Sequence, residues 1–281
     1  MKNQTLTRIS FPHGWLDILK WAVWCTALAG AAHAYGQKPD ARKVEQSLQR
    51  VQQWQLKQQD PVEQGFDIRV LAQAGATQAI PALKQEFAVT KDTLLKLAVA
   101  SGLVKLGDKD PIYWDFLVDK AREAIANDAP PIVLLDSEER EDRNQRELPP
   151  EFIAWAKAHN IEPSAAAQAQ AFDLPVNFLY MAEIGDPRGR DLLRMGLKSH
   201  NGIIQSYAAL GLAKLRDKDS IPLIIEAGRT MPQGGALFVA SALLFFDDPR
   251  AQSAAEIFIS DKQVIEYLRS RIRAGTDPFL L

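Results

Sequence analysis

Asp186, Asp217 and Asp248 stand 31 residues apart, and each is preceded by a run of apolar residues at helical spacing. Two residues before them lie Ile184, Leu215 and Phe246, all large and apolar. Asp108 closes the similar run KLAVASGLVKLGD, Ala76 lies 32 residues before it, and Asp277 lies 29 residues after Asp248. The gap between Asp108 and Asp186 is longer by about one further period. A fixed period of this length means that one supersecondary unit recurs along the chain, and such a unit buries its apolar face only by stacking on its neighbours. A self-contained core around one sheet is thereby excluded.

Within each period the apolar spacing is that of a helix, the aspartate marks a corner, and a proline or apolar residue opens the next helix. The aspartate carboxylate is expected to accept orphan N–H groups of the first turn beyond the corner. The spacing predicts helix pairs at about 64–74 with 78–88, 93–106 with 110–127, 174–184 with 187–198, 202–215 with 219–229 and 235–246 with 250–258, and a closing helix at 262–273. No run alternates with period two. The expected fold is all-α: a right-handed α-solenoid of about five helical hairpins over residues 63–281. Residues 35–62 form a polar stretch whose Val44, Leu48, Val51, Trp54 and Leu56 suit one amphipathic helix, read as a cap on the first hairpin. Residues 129–173 interrupt the period as an insertion. They carry a mixed-charge strip from Asp136 to Arg146, then the helical segment EFIAWAKAHNI, then an Ala/Gln stretch.

The N-terminus follows a different logic. Lys2, Arg8 and Lys20 precede an apolar run from Trp21 to Ala31, and Ala32 and Ala34 supply a small-x-small site. The run is shorter than the roughly 20 residues that span a bilayer. Residues 1–34 therefore read as a cleaved signal peptide with Tyr35 as the mature terminus, which places the protein in the periplasm or outside the cell. Cleavage removes the single cysteine, Cys25, and two of the four histidines, leaving His159 and His200.

The run from Leu95 to Asp108, that from Ile204 to Asp217 and, less tightly, that from Val264 to Asp277 share an order: an apolar start, alanines, leucines leading into an aspartate, and a proline opening the next helix. This resembles the short HEAT-like repeats named after phycobilisome lyases, over about 64–128 and 174–277. The resemblance implies an α-solenoid that acts as a protein-binding platform. A few relatives are enzymes, among them bilin lyases and a di-iron hydroxylase with paired His-Glu ligands. Neither His159 nor His200 is followed by Glu, so that ligand set is missing here.

Chemistry is sparse elsewhere in the chain. One cysteine excludes a disulfide framework and a Cys-based metal centre. There is no G-x-S-x-G and no phosphate-binding glycine loop. Lys+Arg total 33 against 35 Asp+Glu, which argues against a nucleic-acid partner. Glu138, Glu139, Glu141 and Asp142 alternate with Arg140, Arg143 and Arg146 and read as a solvated strip. No cofactor, metal or catalytic residue is expected, and no membrane span after cleavage. The leading expectation is a non-catalytic scaffold that binds a protein partner on the concave face, taken to be lined by the second helix of each pair. Candidate contact residues there are Lys96, Lys105, Asn177, Tyr180, Gln205, Leu210, Lys214 and Phe238, with Trp155 contributed by the insertion. The alternative is an enzyme, a lyase or hydrolase, with its site between the solenoid and the insertion.

Overall fold

A left-handed residue ends the first helix of four successive units, and it sets the shape of every corner around it. In the computed structural model, which describes residues 39–54, 61–127, 150–231 and 233–273, Gly75, Gly107 and Gly185 have φ of 67°, 85° and 65°. Glycine adopts this conformation without a Cβ penalty. Arg216 takes the same place at φ 54°, where a side chain costs roughly 1–2 kcal/mol. The next backbone N–H then folds back onto the helix: Ala76 N donates to Leu71 O, Asp108 N to Leu103 O and Asp217 N to Leu212 O, each at 3.0 Å. These bonds satisfy carbonyls that a helix end would otherwise leave orphaned. A single 3₁₀ turn follows at Thr77–Ala79, Pro187–Gly189 and Lys218–Ser220 before the second helix begins.

Thirteen α-helices and no strand occur among the described residues. Helix α1 (Ala41–Gln53) lies at one end. The hairpins are α2 (Pro61–Ala74) with α3 (Ile80–Val89), α4 (Thr93–Lys105) with α5 (Pro111–Asn127), α7 (Ala165–Ile184) with α8 (Arg190–Gly196), α9 (Gly202–Lys214) with α10 (Ile221–Thr230), and α11 (Gln233–Leu244) with α12 (Pro249–Phe258). Helix α6 (Pro150–Ala158) belongs to the insertion, and α13 (Lys262–Arg273) closes the stack. The expected hairpins are thus present, with ends shifted by a few residues.

The first helices α2, α4, α7, α9 and α11 pack on one another in sequence, and each second helix from α3 to α10 packs against the first helix of the following unit. Helix α4 meets α7 directly, so the packing of the first helices is continuous from the second unit to the third. The start of α7 corrects the sequence reading. The Ala/Gln stretch assigned to the insertion is helical from Ala165, consistent with alanine's high helix propensity.

Two of the first-row helices are buried over long runs. In α9 every residue from Ile203 to Ala213 is buried, and in α4 every residue from Leu97 to Leu103. Two apolar clusters result, one around Leu71, Leu83, Leu97 and Leu103, the other running from Phe178 through Leu210 and Leu243 to Leu268. Helix α1 is amphipathic and docks on α2 with Val51 and Trp54 buried. Residues 1–34, read as a signal peptide, the strip from Asp136 to Arg146 and the expected corner at Asp277 lie outside the described residues.

Candidate functional site

The corner aspartates divide into two kinds. Asp186 and Asp248 each stand in an Asp-Pro-Arg sequence and bind their own arginine. Asp186 accepts from Arg188 N at 2.9 Å and Nε at 3.0 Å, and Asp248 accepts from both Arg250 groups at 3.0 Å. The Arg250 guanidinium, opposed by partial burial, holds the Asp248 carboxyl down to about 2. Asp108 and Asp217 stand instead in Asp-Lys-Asp and bind a cation from the preceding unit. Lys84 Nζ lies 2.8 Å from Asp108, and Arg194 donates to Asp217 at 2.8 and 2.9 Å. Lys84 and Arg194 both sit eight residues beyond the preceding corner, so the ionic latch between units recurs with the period. Asp217 does not cap its helix as expected, because Arg194 and the Ser220 hydroxyl occupy its carboxylate. These residues hold units together and offer nothing to a ligand.

A second charged group lies on the first row and is organised differently. Arg69 on α2 reaches past α4 to Glu183 on α7, an ion pair of 3.2 Å. The reach depends on small residues. Gly65 faces Ala98 across the helix contact, and a Cβ on Gly102 would meet Ile68 Cγ2 at 2.4 Å, so α2 and α4 approach closely. The pair is nearly shielded from water, with side-chain exposures of 11% for Arg69 and 8% for Glu183. It borders a narrow recess, partly open to solvent, that encloses only about 10 Å³ and is lined also by Ser101, Lys105 and Tyr180.

The two cations that line the recess respond to it differently. Burial pushes Arg69 down, but Glu183 and then the Tyr180 and Tyr207 oxygens more than offset this, so its charged form is secured. Lys105 has the opposite outcome. Burial pushes its ammonium below the ordinary lysine range, Glu183 resists, and the Lys214 and Arg69 charges add to the fall. Glu183, which pairs with Arg69, is thus the carboxylate that lines the recess beside Lys105. Among the described residues, no carboxylate lies within ion-pair distance of the Lys105 ammonium.

Apart from Trp155, the candidate contact residues lie on the first helices of their hairpins and not, as expected, on the second, and they separate. Lys105, Tyr180 and Lys214 gather at this cleft or beside it. Lys96 does not: its ammonium lies over the Phe87 ring at 4.8 Å and near the Phe116 ring at 5.8 Å, between α3 and α5. Gln205 is buried and donates to Leu197 O at 3.3 Å. Lys96 and Lys105 are nine residues apart, as are Gln205 and Lys214. At 100° per residue this is half a turn, so neither pair can share a helix face. Asn177 is fully buried and donates to Leu117 O at 2.6 Å. Leu210 is fully buried in the core and Phe238 nearly so, which corrects the reading of both as exposed. Trp155 donates Nε1–H to Asn127 O at 2.6 Å and stacks near Phe152 and His159, tethering α6 to the end of α5.

Arg69, Ser101 and Glu183 were missed by the sequence reading. One signal was available: Lys105, Glu183 and Lys214 each stand three residues before a corner aspartate, a charged ladder in register with the period. His159 lies exposed at the end of α6, and Asn201 beside His200 caps α9 through Ile203 N and Ile204 N. Among the described residues no group of three or more His, Cys, Asp or Glu could hold a metal ion, and no helix is long and apolar enough to cross a membrane.

The family model for the PBS lyase HEAT-like repeat matches residues 204–227, which cover most of α9, its corner and most of α10. That short match agrees with a HEAT-like repeat fold in general. No curated protein and no solved structure matches the chain.

Proposed function

We propose that this chain is a non-catalytic protein-interaction scaffold, a right-handed HEAT-like solenoid that receives a partner along its first row of helices. The observation that carries the reading is the assembly of Arg69, Lys105 and Glu183, from three first-row helices, around one cleft. Corner and core positions are occupied by the work of stacking, whereas this group adds charge that stacking does not need. The first-row helices pack on one another without interruption while the second row meets its own kind less closely, which is the arrangement expected when the first row lies inside the curve. Charged and partly buried groups on such a face favour partner selection and register over bulk affinity.

We place the protein outside the cytoplasm on the basis of residues 1–34. N-terminal sequencing of material from the native host should begin at Tyr35; an intact Met1 would refute export. For the scaffold itself, the parent chain and a Lys105→Met, Lys214→Met variant are compared as bait in envelope extracts. A partner held by the parent and lost by the folded variant supports the reading. Equal capture by both removes the first row from consideration.

A further inference from the structure

We propose that the stack is hinged between its second and third units, and that the Arg69–Glu183 pair is the clasp that holds the hinge shut. This goes beyond the scaffold reading and requires no partner. The apolar core divides at this joint. Among the described residues, one cluster takes in Leu71, Leu97, Leu103 and Leu117, and a separate one runs from Phe178 to Leu268. The partly buried Val104 and Ile184 touch both. On the first row, therefore, the buried apolar residues of α4 and α7 belong to different clusters. On the second row the joint is apolar: α5 packs on α7, and its Trp114, Ala121 and Ala124 belong to the same cluster as Phe178 and Met181. The joint between the third and fourth units has no such break, since Phe178, Leu193, Ile204 and Leu210 lie in one cluster.

Two further features fall at the same joint. Pro175 lies inside α7, where its missing N–H interrupts the helix ladder and permits a bend. Two residues on, Asn177 is fully buried; its Nδ2 donates to Leu117 O at 2.6 Å, and its Oδ1 has no hydrogen-bond partner. An orphaned acceptor favours any movement that admits water. Across the first-row side, Arg69 reaches Glu183 at 3.2 Å beside a recess lined by Ser101, Lys105 and Tyr180. Such a pair is strong while shielded and weakens once water enters, because the charges then interact through a high dielectric. The first-row side is thus the side that opens, with the apolar α5–α7 contact as the pivot.

The test measures a distance across the joint in the full chain by pulsed electron resonance. Spin labels go on Gln78→Cys and Ser253→Cys, both exposed and on opposite sides of the joint, in a Cys25→Ser background. A second pair, Met195→Cys with Ser253→Cys, lies wholly on the far side of it and serves as the control. Without the mutated clasp, the first pair should give one dominant distance. Glu183→Gln leaves the shielded Arg69 charge without its carboxylate, so that distance should split and gain a second population. Arg69→Met with Glu183→Met replaces the clasp by apolar side chains, and the distribution should stay at least as narrow as before. This double variant also keeps the test open if Glu183→Gln fails to fold, because a second population in it overturns the proposal. Equal distributions with and without Glu183→Gln overturn the clasp, and equal broadening of the control pair overturns the hinge. Either failure leaves the scaffold reading standing, since capture of a partner by the first row does not require movement.

Discussion

Close helix approach in this chain depends on a few positions where a methyl group decides the packing. Gly102 is the sharpest of them. Its missing Cβ is the space that Ile68 Cγ2 occupies, and Ile68 is β-branched with little freedom to move aside. Gly202 opens α9 with nothing within 4 Å of its would-be Cβ. Both residues are helical, so alanine should gain up to about 1 kcal/mol of propensity at each. At Gly202 that gain stands alone, and Gly202→Ala should be neutral or stabilising. At Gly102 overpacking of about 1–3 kcal/mol outweighs it, and Gly102→Ala should be destabilising. Urea denaturation of the two variants reads the difference in sign directly. The same close contact lets Arg69 reach Glu183, so Gly102→Ala should also disturb the charged cleft.

Helix α1 shows how an element with little apolar surface is held to the stack. It buries few residues, and its polar anchor is Asp67 on α2, which is 1% exposed. Ser47 donates to this carboxylate at 2.8 Å, and Arg50 Nε donates at 2.8 and 3.1 Å. The arginine is itself half-exposed, so its charge is partly screened and the pair owes much to hydrogen-bond geometry. Removing it leaves a buried carboxylate with the serine alone, at a cost of about 1–3 kcal/mol. Arg50→Ala should therefore loosen α1 specifically. Amide exchange should quicken across Ala41–Gln53 and stay slow in α9, whose residues are buried on every side. Uniform acceleration through both helices would mean that α1 is part of one cooperative unit and not a docked cap.

Across the whole stack, the corner aspartates make stability depend on acid. The carboxyls of Asp108, Asp186, Asp217 and Asp248 are all held below the usual 3.8. For Asp108 and Asp186 the leading cause is the bound cation, from Lys84 and Arg188 respectively. For Asp217 burial acts upward, and Arg194 with Ser220 more than reverses it. A carboxyl whose folded value lies below its unfolded value binds fewer protons when folded. Its stabilisation is complete above 3.8 and is lost as pH falls through the folded value, which for Asp248 is about 2. Carboxyl resonances followed by NMR should place Asp248 near that value. Arg250→Ala should return it towards the ordinary range and shrink the loss of stability over the same interval. Because two of these aspartates bridge adjacent units, acid should weaken contacts between repeats as well as single corners.

The period of the aspartates was enough to fix an all-helical stack, its hairpins and the place of its corners, because those features follow from local spacing. Helix needs only a 3.6-residue rhythm, the corner only a residue tolerant of a left-handed backbone, and stacking only an apolar face that one hairpin cannot bury. The extent of α7 was less legible, since an alanine-rich stretch reads equally as insertion or helix until something packs beside it. The cleft was legible only in part. Lys105 and Lys214 were visible as charges on first-row helices, but Lys96 and Gln205 sit half a turn away and face the second row. Leu210 and Phe238 are closed off by neighbours that a linear pattern does not identify. The meeting of Arg69 with Glu183 joins residues 114 positions apart in sequence, across an insertion, through a gap opened by Gly65, Ala98 and Gly102. Local rhythm says which face of a helix is apolar. Only the packed helices say which charged side chains share a low-dielectric space, and that sharing gives Lys105 its unusual environment.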